Sequence, residues 1–121
     1  MLDGLLDPLR WERTLSNMGP FWEGWAFTLK VVLAGLALSL ALGTLLGVFS
    51  TTRSKVLRAI SRVYVEFYQN TPLPVQVFFM YTAGPQVLQA ITGAASPVRI
   101  APFALGVLGV GLYHAAYVSE V

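Results

Sequence analysis

The sequence predicts an all-α membrane protein with three spanning helices, at about 26–49, 64–83 and 101–119. Three observations carry this. From Val31 to Phe49 the chain runs nineteen residues, VVLAGLALSLALGTLLGVF, without a charged side chain. At about 1.5 Å per helical residue, that run nearly covers the ~30 Å hydrocarbon core of a bilayer. Only 12% of residues are charged and the mean hydropathy is +0.64, against about 25% charged in soluble domains. Third, Arg53, Lys55, Arg58 and Arg62 gather in one connection with no acid among them. Basic residues beside one end of a span mark a cytoplasmic loop.

The elements follow in order. Residues 1–25 form an extracytoplasmic segment with Pro8, Gly19 and Pro20 as breakers, and an amphipathic interfacial helix is expected around Leu9–Leu15. This start does not resemble a cleaved signal, because acids precede the first cations and the apolar run exceeds a 7–15-residue h-region. Phe21, Trp22, Trp25 and Phe27 precede the first span as an outer aromatic belt. Lys30 snorkels back toward it. Within the span, Gly35, Ser39, Gly43 and Gly47 recur every four residues. On a helix they form one small-residue row that lets a second helix approach closely. The plain alternative is that membrane helices are simply rich in glycine.

Residues 50–63 form the basic connection, with an interfacial helix expected from Lys55. The second span, 64–83, is not uniformly apolar: Glu66, Gln69, Asn70, Thr71 and Gln76 lie in it. Thr71–Pro72 reads as an N-cap followed by a first-position proline, so a break is expected near Asn70–Thr71, with a fresh helix through VQVFFMY. Gly84–Pro85 is expected to end that helix, and 86–98 to be a loop. Arg99 and Pro102 open the third span, which holds Gly106, Gly109, Gly111, His114 and Tyr117. The charges place the 50–63 connection inside, and hence the N-terminus and the 84–98 loop outside and the C-terminus inside.

The pI of about 9.2 does not indicate nucleic acid, since no aromatic-interleaved basic surface accompanies the cations. The chain has no cysteine and one histidine, which argues against a disulfide frame and a metal site. It has no nucleophile constellation and no G-x-x-x-x-G-K-[ST] phosphate loop. No enzymatic step and no cofactor are expected of it.

Segment 64–81, YVEFYQNTPLPVQVFFMY, resembles the most recognisable stretch of permease subunits from ATP-binding-cassette (ABC) importers of polar amino acids, close to Y-x-E-x-F-R-[GN]-T-P-L-x-x-Q-x-F-F. Tyr64, Glu66, Asn70, Thr71, Pro72, Leu73, Gln76, Phe78 and Phe79 match it. Thr28–Leu29 with Ser39, Leu42, Gly43 and Gly47, then the Arg53, Ser54 and Arg58 loop, and finally Ala115–Ala116–Tyr117–Val118–Ser119–Glu120 are also similar to the family, the last to its A-A-Y-x-x-E signature. Gln69 and Pro74 depart from the pattern, which often has arginine at the first position and an aliphatic residue at the second.

The resemblance implies that 26–121 is part of a type-1 ABC importer transmembrane domain, in a bacterial cytoplasmic (inner) membrane. It implies a separate ATPase subunit, a second permease subunit as homodimer or heterodimer partner, and an extracytoplasmic solute-binding protein. The family continues past the position of Val121 into a coupling helix and two further spans, so the expectation is a fragment or a truncated gene product.

Polar groups at membrane depth are costly and default to function. Glu66, Gln69, Asn70, Thr71, Gln76, His114 and Tyr117 are therefore the candidates for a solute path. Glu66 and Asn70 share one helix face, four apart, and Gln69 and Gln76, seven apart, share another. Glu66 would attract an ammonium, and the N–H groups of the helix restarting at Thr71 a carboxylate. The bland alternatives are an Arg62–Glu66 surface pair, interhelical hydrogen bonds by Gln69, Asn70 and Gln76, a plain kink at Thr71–Pro72, and a His114 hydrogen-bonded to a neighbouring helix. At the level of the whole chain, a polar amino acid importer subunit stands against a non-transporting membrane interaction protein, or remnant, that only packs against partner helices.

Overall fold

The computed structural model describes residues 2–121, and among them every regular element is an α-helix. The chain forms two compact units, one up to Lys30 and one from Val31.

In the first unit, α1 (Pro8–Ser16) is nine residues long and matches the expected short helix. Asp7 caps it: its carboxylate accepts the Leu9 N–H at 3.0 Å and lies 3.8 Å from the Arg10 guanidinium. Pro8 occupies the first turn, where a missing N–H costs nothing. The Trp11 indole donates to the Leu5 carbonyl at 2.6 Å, tying the preceding turn to the helix.

The next helix, α2 (Gly19–Thr51), is 33 residues long. It starts earlier than the expected 26 because Gly19–Pro20 opens a helix rather than stopping one, proline being tolerated in the first turn. α2 is the one helix among the described residues that is long and apolar enough to cross a membrane.

The second unit is built on the small-residue row. Gly35, Ser39 and Gly43 are buried with Leu46 along α2, and α6 (Pro102–Val118) lies against the two glycines. A Cβ on Gly35 would lie 3.2 Å from Val110, one on Gly43 would lie 2.6 Å from Val118, and one on Gly47 would lie 3.2 Å from the Ser119 carbonyl. α6 reciprocates, setting Gly106 against Val31 and Gly111 against Leu38. Branched side chains of each helix thus fill the glycine hollows of the other, the close approach that stands in for hydrophobic drive in lipid. Gly109 offers the same hollow on another side of α6, to Val77.

The remaining helices differ from expectation in an instructive way. α3 (Lys55–Asn70) begins at Lys55, where the Ser54 hydroxyl caps it by accepting the Leu57 N–H at 3.4 Å, but it does not stop short of 64. The basic connection is therefore only 52–54, and Arg58 and Arg62 sit on a helix. The expected second span, 64–83, is not one helix: its first part belongs to α3 and the rest is α4 (Leu73–Thr82), a ten-residue apolar helix. The break falls at Thr71–Pro72, one residue beyond the expected Asn70–Thr71, and Thr71 terminates α3 instead of capping α4. Pro72 is the N-cap of α4, with no side-chain cap bond. Proline forces its predecessor into extended backbone, and Thr71 is there at φ −112°, ψ 127°. The expected 86–98 loop contains α5 (Gly84–Thr92), because Pro85 at the start of a helix initiates one. α5 ends at Gly93, which takes the left-handed conformation at φ 68° that only glycine adopts freely. α6 is an apolar helix of 17 residues, shorter than α2.

Candidate functional site

Two features of the second unit concentrate polar groups: the α3–α4 break, and a groove beside the ends of α2 and α6.

The break is organised by Gln76. In a continuous helix the N–H of residue 72 would donate to the Tyr68 carbonyl, but Pro72 has none. The Thr71 carbonyl would receive the Val75 N–H, which donates to the Pro72 carbonyl at 3.1 Å instead. The Gln76 amide takes both places. Its Nε2 donates to the Tyr68 carbonyl at 3.2 Å and to the Thr71 carbonyl at 2.9 Å. The opposite amide orientation would set Oε1 against two carbonyl oxygens. Gln76 is only 6% exposed, and its Oε1 is buried without a donor. Asn70, on the last residue of α3, is exposed.

The groove is open, encloses about 1200 Å³, and is lined among others by Gly43, Gly47, Arg58, Arg62, Glu66, Gln69 and Glu120. Gln69 Nε2 donates to Glu120 Oε2 at 2.8 Å, joining α3 to the turn after α6. Glu66 and Arg62 both line the groove and are exposed, but no ion pair joins them among the described residues. The groove therefore holds two carboxylates and two guanidiniums around one amide.

His114 and Tyr117 lie exposed on α6. His114 Nδ1 is 2.8 Å from the Val110 carbonyl of its own helix. A carbonyl only accepts, so Nδ1 is the donor in this bond. This bond lies within α6, unlike the bland alternative of a His114 hydrogen-bonded to a neighbouring helix. Tyr117 Oη lies 3.1 Å from Tyr113 Oη, and the Tyr113 ring packs edge-on to His114 at 5.3 Å between centroids.

The structure thus brings Glu66 and Gln69 into one groove and Thr71 and Gln76 into one hydrogen-bonded break. It separates Gln69 from Gln76, because the seven-residue repeat that put them on one face fails across the break. Sequence reasoning missed three positions. Glu120 and Tyr64 carried only a motif match, with no contact assigned. Ser61, 3% exposed, donates to the Leu46 carbonyl at 2.9 Å and ties α3 to α2. Tyr64 donates to the Leu112 carbonyl at 2.7 Å and ties α3 to α6. The signal for Ser61 was its place on the stripe Leu57–Ser61–Tyr64–Tyr68, where a small polar residue interrupts a packed face.

Comparison with known proteins finds relatives in sequence. Over 99 residues the chain is 32% identical to the glutamine transport system permease protein GlnP of Escherichia coli (strain K12), covering 82% of this chain and 42% of that one. It is 33% identical over 93 residues to PatM of Vibrio harveyi, described as a probable amino-acid ABC transporter permease protein, covering 77% and 39%. This chain is homologous to part of an amino-acid ABC transporter permease. The glutamate/aspartate import permease protein GltJ of Escherichia coli (strain K12) is 28% identical over 109 residues, covering 87% of this chain and 44% of GltJ. The chain thus spans about two-fifths of the length of these permeases. No family model matches it, and no solved structure does.

Proposed function

We propose that the chain forms the N-terminal part of the membrane subunit of an ATP-driven importer and lines the route of a polar amino acid. The observation that carries this reading is the similarity to GlnP, PatM and GltJ over about four-fifths of the chain. The polar groups kept in an otherwise apolar unit agree with it, since a helix that only anchors has no use for an amide-braced break. In this reading three segments cross the bilayer: α2, the broken pair α3–α4, and α6. By rise alone the 17 residues of α6 reach about 25 Å. The N-terminus faces outside and the Arg53–Arg62 segment inside, in the cytoplasmic membrane of a bacterium.

Glu66, Gln69, Asn70, His114 and Tyr117 then offer side chains to the solute, while Thr71 and Gln76 form the joint between α3 and α4. A carboxylate at Glu66 suits an ammonium, and the N-terminus of α4 suits a carboxylate. Hydrolysis of ATP takes place on a partner ATPase subunit. A second permease subunit completes the path and an extracytoplasmic binding protein delivers the solute.

The test is transport by the complete permease, reconstituted with its ATPase subunit in liposomes and supplied with its binding protein. ATP-dependent uptake of radiolabelled glutamine, glutamate or aspartate is expected. An assembled, ATP-hydrolysing complex that accumulates no amino acid would overturn the reading.

A further inference from the structure

We propose that Gln76 is the latch of a joint between α3 and α4, a positioning residue that acts through two backbone carbonyls instead of touching the solute. Pro72 removes the N–H that the Tyr68 carbonyl would use, and the displaced Val75 N–H abandons the Thr71 carbonyl. One side chain, reaching back from the first turn of α4, supplies both missing donors at 3.2 and 2.9 Å. Both amide hydrogens are thereby committed, so the Gln76 amide has no donor left for a solute. The same amide leaves Oε1 buried and unpaired. Release of the amide would orphan both the Tyr68 and the Thr71 carbonyls, so the latch holds the joint closed. A proline-broken, side-chain-braced segment of this kind is where a helix pair bends as two rigid bodies. The outward residues of α4, Val75, Phe78, Phe79 and Tyr81, are exposed, while Val77 on its other face seats against Gly109 of α6, so a change of joint angle moves α4 across that contact.

The joint itself follows from the geometry alone, and its use in transport rests on the permease reading, so the experiment reads the two separately. The chain has no cysteine, so spin labels at I60C and Y81C, exposed positions on α3 and near the tip of α4, report the joint angle in lipid nanodiscs. Q76M keeps the side-chain length and removes both donors. It is expected to broaden the distance distribution and shift it by about 5 Å, the arc of a ~15 Å helix turning through ~20°. P72A returns an N–H to the Tyr68 carbonyl, so adding Q76M in that background is expected to shift the distance less. If Q76M alone does not fold, P72A and P72A/Q76M are compared directly, and a shift of about 5 Å between them would equally sink the latch. An unchanged distance in Q76M, or an equal shift in the P72A background, would sink the latch. In the reconstituted importer, Q76M is expected to lower the maximal uptake rate and leave KM unchanged. A raised KM with an unchanged joint angle would make Gln76 a solute ligand and overturn the proposal, whereas absence of uptake in the unsubstituted importer would count against the permease reading alone.

Discussion

Gln69 and Glu120, fifty-one positions apart, meet at 2.8 Å, with the amide donating to the carboxylate. The contact ties the middle of the chain to its last turn at the mouth of the groove. Gln69 stands where the resembled pattern often has arginine, so a neutral amide here faces an acid that a guanidinium would pair with. Replacing Gln69 by leucine is expected to lower stability by about 0.5–1.5 kcal/mol, the usual worth of one exchanged hydrogen bond. Q69R is expected to retain or strengthen the link, because a charged fork grips a carboxylate better than an amide does. Unfolding titrations of the two variants in detergent check the order; a Q69R chain less stable than Q69L would contradict it.

The glycine contacts rank their own substitutions. A Cβ on Gly43 would meet the Val118 Cβ at 2.6 Å and the Ala115 carbonyl at 2.9 Å, neither of which a side-chain rotation can move. On Gly111 it would meet the Leu38 side chain at 2.6 Å, which turns more readily. On Gly24 it would meet nothing within 4 Å. G43A is therefore expected to cost about 1–3 kcal/mol by overpacking, G111A less, and G24A, which meets no clash inside a helix, to gain about 0.5–1 kcal/mol. Thermal melting of the purified chain in detergent reads this order, and a G43A protein as stable as G24A would refute the α2–α6 contact.

Tyr64→Phe removes only the hydroxyl that reaches the Leu112 carbonyl at 2.7 Å. The expected loss is about 0.5–1.5 kcal/mol, with the ring packing of Tyr64 on Tyr68 kept. Near-ultraviolet circular dichroism is expected to keep its aromatic signature while the melting temperature falls. Loss of both together would show that the ring, and not the hydroxyl, holds α3 to α6.

Single cysteines test the orientation. In intact cells, a membrane-impermeant maleimide is expected to label S96C, between α5 and α6, and to label S54C, between α2 and α3, only after permeabilisation. The reverse pattern would invert the proposed topology.

Helix boundaries were legible wherever a neighbour in the chain sets them. The apolar run announced α2, a helix was expected from Lys55 where α3 begins, and Thr71–Pro72 announced the break. Pro20 and Pro85 misled because each falls in the first turn of a helix, where proline is tolerated, and the letter alone does not tell a first turn from an interior position. The small row on α2 was legible as a contact face, but not its partner. The candidate residues were visible as polar letters in an apolar stretch, yet their grouping was not, since Gln69 and Gln76 part company at a break that a helical repeat ignores.

The sequence by itself determined that this chain is helical, apolar along α2, and interrupted at Pro72, because hydropathy, capping and the missing proline N–H act within a few residues of where they are written. The tertiary structure alone decided that α6 fills the glycine row of α2, that Ser61 and Tyr64 tie α3 to both, and that Gln76 folds back onto two orphaned carbonyls. Those choices depend on distances between atoms far apart in the chain or on the path of the backbone across a break, and no local rule carries that geometry.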